Sequence, residues 1–142
     1  MTEANCRGKI IAGKPVAMAA YTMDSHHVRR IADANGYVSN EGDIQVDRDE
    51  KGVIFPPYPI DYGSIIPKRG ECSNLLVPVC LSASHMAFGS IRMEPVFFAL
   101  GQAAGTAAVQ SIKAGCAVQD LPYRPLRDRL VADGQVLTLK AR

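Results

Sequence analysis

The sequence predicts a mixed α/β fold, of the α+β kind when the chain is taken alone, on three observations. To about Val46, short apolar runs alternate with polar turns, the pattern of short strands. A proline-rich stretch and a nearly all-apolar run, Leu75–Leu81, come next. A long helical pattern then runs from near Arg92 to Ala114. Strands first and a long helix later suit a layered arrangement in which a helix covers a sheet.

Val16–Thr22 and Asp43–Val46 read as strands from their apolar and β-branched content. Asn35-Gly36, between Val28–Ala34 and Tyr37-Val38, favours a tight hairpin turn. Asp47–Gly52 reads as a solvated charged loop. Phe55–Tyr62 must be extended, because Pro56, Pro57 and Pro59 remove helix donors and bias their predecessors towards β. It reads as a wall or linker outside the core. Leu75–Leu81 suits a buried strand, with Pro78 removing one ladder bond. In the long helix, Glu94 and Pro95 fit the first turn, Lys113 the last, and Gly115 the C′ stop. Gly101, Ala104, Gly105 and Ala108 recur at helical spacing and leave one face almost without side chains. Each glycine costs about 1 kcal/mol against alanine there, so a close neighbour is expected. Val96, Phe97, Phe98 and Leu100 supply bulk, and the helix is expected to be buried nearly all round. Leu126–Asp133 reads as a short helix stopped by Gly134, and Val136–Leu139 as a last strand or extended tail.

The chain has 142 residues, 16 Lys+Arg and 14 Asp+Glu, a formal charge of +2. With 47% apolar and 21% charged residues it has ordinary globular composition, which excludes a disordered tail, a coiled coil and a collagen-like fibre. So small a net charge offers no long-range attraction for nucleic acid or an acidic membrane surface. No apolar run reaches the roughly 18 residues a membrane span needs. The opening MTEANCRGK lacks the pattern of a signal or transit peptide, and the compartment stays open. Cys6, Cys72, Cys80 and Cys116 form no C-x-x-C pair, so they read as free, mostly buried apolar residues.

Two stretches concentrate reactive groups. Ser82–Pro95 gathers hydroxyls, His85, Gly89 and Arg92 ahead of a helix N-terminus, where free N–H groups and the dipole favour an anion. On spacing alone the plainer reading is a capped turn, with Ser90 satisfying a helix donor and His85 packed on the loop. Asp24-Ser25-His26-His27 is the second. Its adjacent histidines project in different directions, so one can face a cleft while the other packs. A metal centre there lacks a third ligand, and none is assigned.

The run NLLVPVCLSASHMAFGSIRMEPVFFALGQAAGTAA (Asn74–Ala108) resembles the C-terminal flavin-binding segment of the FAD-dependent oxidoreductase family, of glutathione-reductase-type architecture, some of whose members carry a xanthan-lyase-like label. YTMDSHHVRR (Tyr21–Arg30), NEGD (Asn40–Asp43) and PYPIDYGSIIPKRGE (Pro57–Glu71) resemble the same family. The resemblance implies FAD as cofactor and hydride transfer with a small-molecule or carbohydrate-like substrate. It also implies the C-terminal part of a Rossmann-like FAD domain plus part of a β-rich substrate domain. Residues 1–70 would be the substrate-domain segment and linker, and 71–142 the return to the FAD domain. Arg92, Met93, Glu94 and Pro95 would sit at the helix N-terminus facing the flavin pyrimidine edge, where fixed dipoles stabilise negative charge. Ser84, His85, Gly89 and Ser90 would line the loop beside the flavin. Gln102, with Gly101 and Gly105, would belong to the smooth face packed on the FAD domain. His26 or His27 becomes a candidate proton carrier, since removing hydride from an alcohol or amine carbon requires a base. Arg92 joins them among the catalytic candidates.

The family's G-x-G-x-x-G loop, which holds the FAD diphosphate, has no counterpart, because the chain contains no G-x-G. The resemblance therefore covers roughly the last third of the family, and MTEANCRG looks internal to a substrate domain. The expectation is a truncated gene, a fragment or a miscalled start. The implied partner is an N-terminal FAD-binding half, in cis or in trans. An uncovered helix face would leave the chain marginally stable or self-associating. A non-catalytic remnant or interaction module is the alternative. A polysaccharide lyase or hydrolase ranks third, because Asp24, Asp43 and Glu94 show no evident pairing in sequence.

Overall fold

The computed structural model describes residues 1–139, and they form a mixed α/β fold built from helices and small antiparallel sheets. At its centre β1 (Pro15–Ala19) pairs antiparallel with β6 (Tyr58–Asp61). Val16, Ala17, Ala19, Tyr58 and Ile60 are buried there. The proline-rich stretch is thus core, not a wall outside it. Pro59 is tolerated because each strand of a two-stranded sheet keeps one free edge, where a missing N–H breaks no ladder.

Between β1 and β6 the chain makes a ribbon. β2 (Met23–Ser25) pairs with β5 (Ile44–Val46), and β3 (Arg29–Ala32) pairs with β4 (Val38–Glu41) nested inside that pair. The hairpin tip is wider than a two-residue turn. Asp33 accepts from the N–H groups of Asn35 and Tyr37, and Gly36 supplies the left-handed residue at φ +84°. Asp49 repeats the device, accepting from Lys51 and Val53 with Gly52 at φ +78°. The charged loop is therefore an ordered turn.

Helix α1 (Glu3–Cys6) lies at one end of the core. A short helix, α2 (His85–Ile91), occupies the stretch expected to be a loop. The long helix α3 (Glu94–Ala114) has the predicted ends, with Pro95 in its first turn and Gly115 at φ 60° closing it. It is buried on one face only, through Val96, Leu100, Ala103, Ala104, Ala107 and Ser111, which pack on β1 and on α4 (Tyr123–Ala132). Phe98, Gly101, Gly105, Val109 and Ile112 lie on the outer face and are exposed. Nothing lies within 4 Å of where a Cβ would stand on Gly101 or Gly105. The expectation of all-round burial fails for the described residues.

Leu75–Leu81 is not a strand. Leu75 and Val79 are exposed, and Val77 N–H donates to the Ile65 carbonyl at 2.8 Å. Apolar content made this run resemble a strand, but no described neighbour offers it a ladder. Gly134, at φ 85°, follows α4, and Val136–Leu139 forms neither strand nor helix, with Leu137 buried. All four cysteines are free, with Cys6 buried, Cys80 exposed and the others half-buried. Among the described residues, no helix is long and apolar enough to cross a membrane.

Candidate active site

The site is built where the last turn of α2 meets β2. Ser84 caps α2, its Oγ accepting from Ala87 N–H at 3.3 Å. Cap duty thus falls to Ser84 rather than Ser90. Ser90, in the last turn of α2, is fully buried. Its hydroxyl accepts from the Tyr58 hydroxyl at 2.6 Å and donates to the Tyr21 carbonyl at 2.5 Å. Gly89 lies against Asp24, and a Cβ built on it would fall 2.5 Å from the Asp24 carbonyl oxygen. Arg92, the residue that ends α2, places a terminal guanidinium nitrogen 2.8 Å from Asp24 Oδ1. Met93 then turns the chain into α3, and its carbonyl accepts from Val96 and Phe97.

His26 and His27 follow β2 directly and are exposed. His27 Nδ1 lies 3.6 Å from Asp43 Oδ1, so the DSHH and NEGD stretches meet. Of the three carboxylates named above, Asp24 is set against Arg92 and Asp43 against His27. Ser84, His85, Glu94 and Pro95 are exposed around the α2 and α3 starts, and Met93 is half-buried. His85 lies at the far end of α2 from Arg92, roughly 10 Å along the axis. Gln102 sits on the outer face of α3, about 12 Å up the helix from Glu94. The junction thus unites Asp24, Gly89, Ser90 and Arg92, with the histidines a few residues on, and leaves Gln102 apart. Among the described residues no group of three or more His, Cys, Asp or Glu is placed to hold a metal.

From the sequence Tyr58 reads as part of a wall bordering the cleft; its bond to Ser90 and the backbone acceptor of Tyr21 were not foreseen, and the alternation of Tyr58 with Ile60 was the available signal. Burial, and secondarily the Cys6 thiol beside it, pushes the Tyr58 phenol far above its ordinary value. Burial pushes the Cys6 thiol up as well. Tyr58 therefore stays protonated and donates to Ser90. Behind this junction is a cavity of about 80 Å³, lined by Cys6, Tyr21, Met23, Phe55 and Tyr58 among others. That holds a few waters, whereas cofactor and substrate pockets run to about 300 Å³ and more.

The residues that would meet a flavin edge are those at the start of α3, Met93, Glu94 and Pro95. The N-terminus of α3 has no side-chain cap, so its dipole end is not engaged by a side chain of its own. The sequence, without G-x-G, supplies no glycine-rich loop for the diphosphate.

The described residues thus join a histidine-bearing ribbon to the start of a long helix. A model of the FAD dependent oxidoreductase family matches residues 1–130, and the chain belongs to that family. Its function is of the general redox class and its cofactor is FAD. Neither a curated protein nor a solved structure matches the chain.

Proposed function

We propose that this chain is the C-terminal part of an FAD-dependent oxidoreductase and presents the pyrimidine-edge and substrate-side groups for hydride transfer. The substrate class is a small or carbohydrate-like alcohol or amine. The observation that carries this reading is the Asp24–Arg92 contact at 2.8 Å, which joins the histidine-bearing segment to the start of α3. Bound FAD supplies the chemistry of hydride acceptance. The α3 N-terminus, from Met93 to Pro95, would stabilise negative charge on that edge, and Ser84 and His85 would flank it. His26 or His27 would take the hydroxyl or amine proton as hydride leaves the carbon that bears that group, giving a carbonyl or imine.

The dinucleotide grip would come from an N-terminal FAD-binding half, in cis or in trans, seated on the outer face of α3. Support for this is the exposure of Phe98, Val109 and Ile112 on either side of bare Gly101 and Gly105. Residues 1–70 would then serve the substrate and 71–142 the cofactor. The same exposed face favours the second reading, a non-catalytic interaction module. Joining the chain to a dinucleotide-binding half and adding a panel of alcohols, amines and sugars separates the two. Retained yellow flavin that bleaches with a substrate, and much more slowly in His26→Asn or His27→Asn, is expected. A joined protein that folds but retains no flavin would leave the interaction module.

A further inference from the structure

We infer that Gly89, Ser90 and Arg92 are positioning residues, seating Tyr21–Asp24 on α2 and thereby holding the His26–His27 turn in place, rather than contacts to the cofactor. This rests on the hydride-transfer reading for its purpose, but its geometry stands alone. The buried core cluster takes no residue between Asp24 and Pro57; within that stretch only Val46 and Phe55 pack against it in part. The ribbon is therefore anchored at Met23, Val46 and Phe55 and little else. Against its first strand, the last turn of α2 applies three different contacts. Gly89 lets the Asp24 backbone approach to a distance no side chain permits. Ser90 spends its one O–H on the Tyr21 carbonyl and accepts from Tyr58 while fully buried, so it offers no donor to a ligand. Arg92 closes the set on the Asp24 carboxylate, with both side chains half-buried. A charged hydrogen bond so placed is stronger than one in water.

The test uses the full 142-residue chain without flavin, by amide hydrogen exchange and histidine ring NMR. Arg92→Gln and Asp24→Asn should each speed exchange in β2 and β5 by about tenfold, the effect expected of one lost charged hydrogen bond. Exchange in α3, β1 and β6 should hold, and the double variant should match either single one. The His26 and His27 ring signals should move in Arg92→Gln and return in Arg92→Lys, a rescue that separates seating from bulk packing. Unchanged ribbon exchange, uniform acceleration along the whole chain, or a silent Asp24→Asn would each overturn the inference. So would weaker binding of added FAD in Arg92→Gln with normal binding in Asp24→Asn, which would make Arg92 a cofactor contact. The exchange readout needs no turnover, so this positioning role and the hydride-transfer reading fail separately.

Discussion

Replacing glycine by alanine should change stability with opposite sign at two positions of this chain. At Gly89 the new methyl would stand 2.5 Å from the Asp24 carbonyl oxygen, and 3.3 Å and 3.4 Å from its nitrogen and carbonyl carbon. All three are backbone atoms, so nothing can rotate away, and α2 must retreat from β2. Overpacking of this kind costs about 1–3 kcal/mol. Retreat also weakens the Ser90 and Arg92 hydrogen bonds, each worth roughly 1 kcal/mol. Against this stands a gain of about 1 kcal/mol for alanine in a helix. Gly89→Ala should thus destabilise by about 2 kcal/mol, lowering Tm by roughly 6–8 °C for a chain of this size. At Gly101, nothing within 4 Å meets the methyl. Gly101→Ala should keep the helix gain, up to about 1 kcal/mol, and raise Tm by roughly 3–4 °C. Thermal melts followed by far-ultraviolet circular dichroism read both. A Gly89→Ala protein as stable as the parent would refute the close approach, and a destabilised Gly101→Ala would refute the open outer face.

Three further outcomes follow from the packing. Leu100 and Leu126 are fully buried, so alanine at either should cost about 2–5 kcal/mol in chemical denaturation, while alanine at exposed Leu139 should be near neutral. Burial, with the Cys116 thiol adding to it, raises the Tyr62 phenol to about 12, so the fold holds the neutral form more tightly than the unfolded chain does. That contribution is full below about pH 10 and drains as pH rises towards 12, and stability measured across this window should fall. A flat alkaline profile would contradict the buried phenol. Asp33→Ala removes the acceptor for two turn N–H groups at the ribbon tip, so exchange there should speed up while Tm barely moves. A large drop in Tm would mean that the tip carries core stability.

How much was legible depended on how local each signal was. The ends of α3 could be read because Glu94, Pro95, Lys113 and Gly115 act within one turn of themselves. Gly134 ended α4 for the same reason. Leu75–Leu81 misled because apolar content says that a segment prefers burial, not that a partner strand exists. Tyr58–Asp61 misled in the other direction. Its prolines argued against a core strand, while the alternation of buried Tyr58 and Ile60 was present in the sequence all along. At the site, the residue types were legible and their connections were not. Nothing near Gly89 in the sequence says that Asp24 will press on it, and nothing near Asp24 says that Arg92 will answer its charge.

The GSIR and GQAAG stretches both place glycine within a helix, but in opposite surroundings. Gly89 and Ser90 face inward, and β2 and Tyr58 occupy the space that a side chain or ligand would need. Gly101 and Gly105 face outward; a hollow of about 490 Å³ reaches Gly105 beside Val109 and Lys113, and a second of similar size lies by Ala108 and Ile112. A glycine inside a helix costs about 1 kcal/mol against alanine, a cost offset only where something uses the space it leaves. For Gly89 that compensation is visible within the chain. For Gly101 and Gly105 it is not, and the exposed Phe98 and Ile112 add apolar surface that a stable monomer ordinarily covers. The close contact at Gly89 thus fits the seating of the histidine segment inferred above, and the bare face at Gly101 and Gly105 is where the proposed N-terminal half would pack.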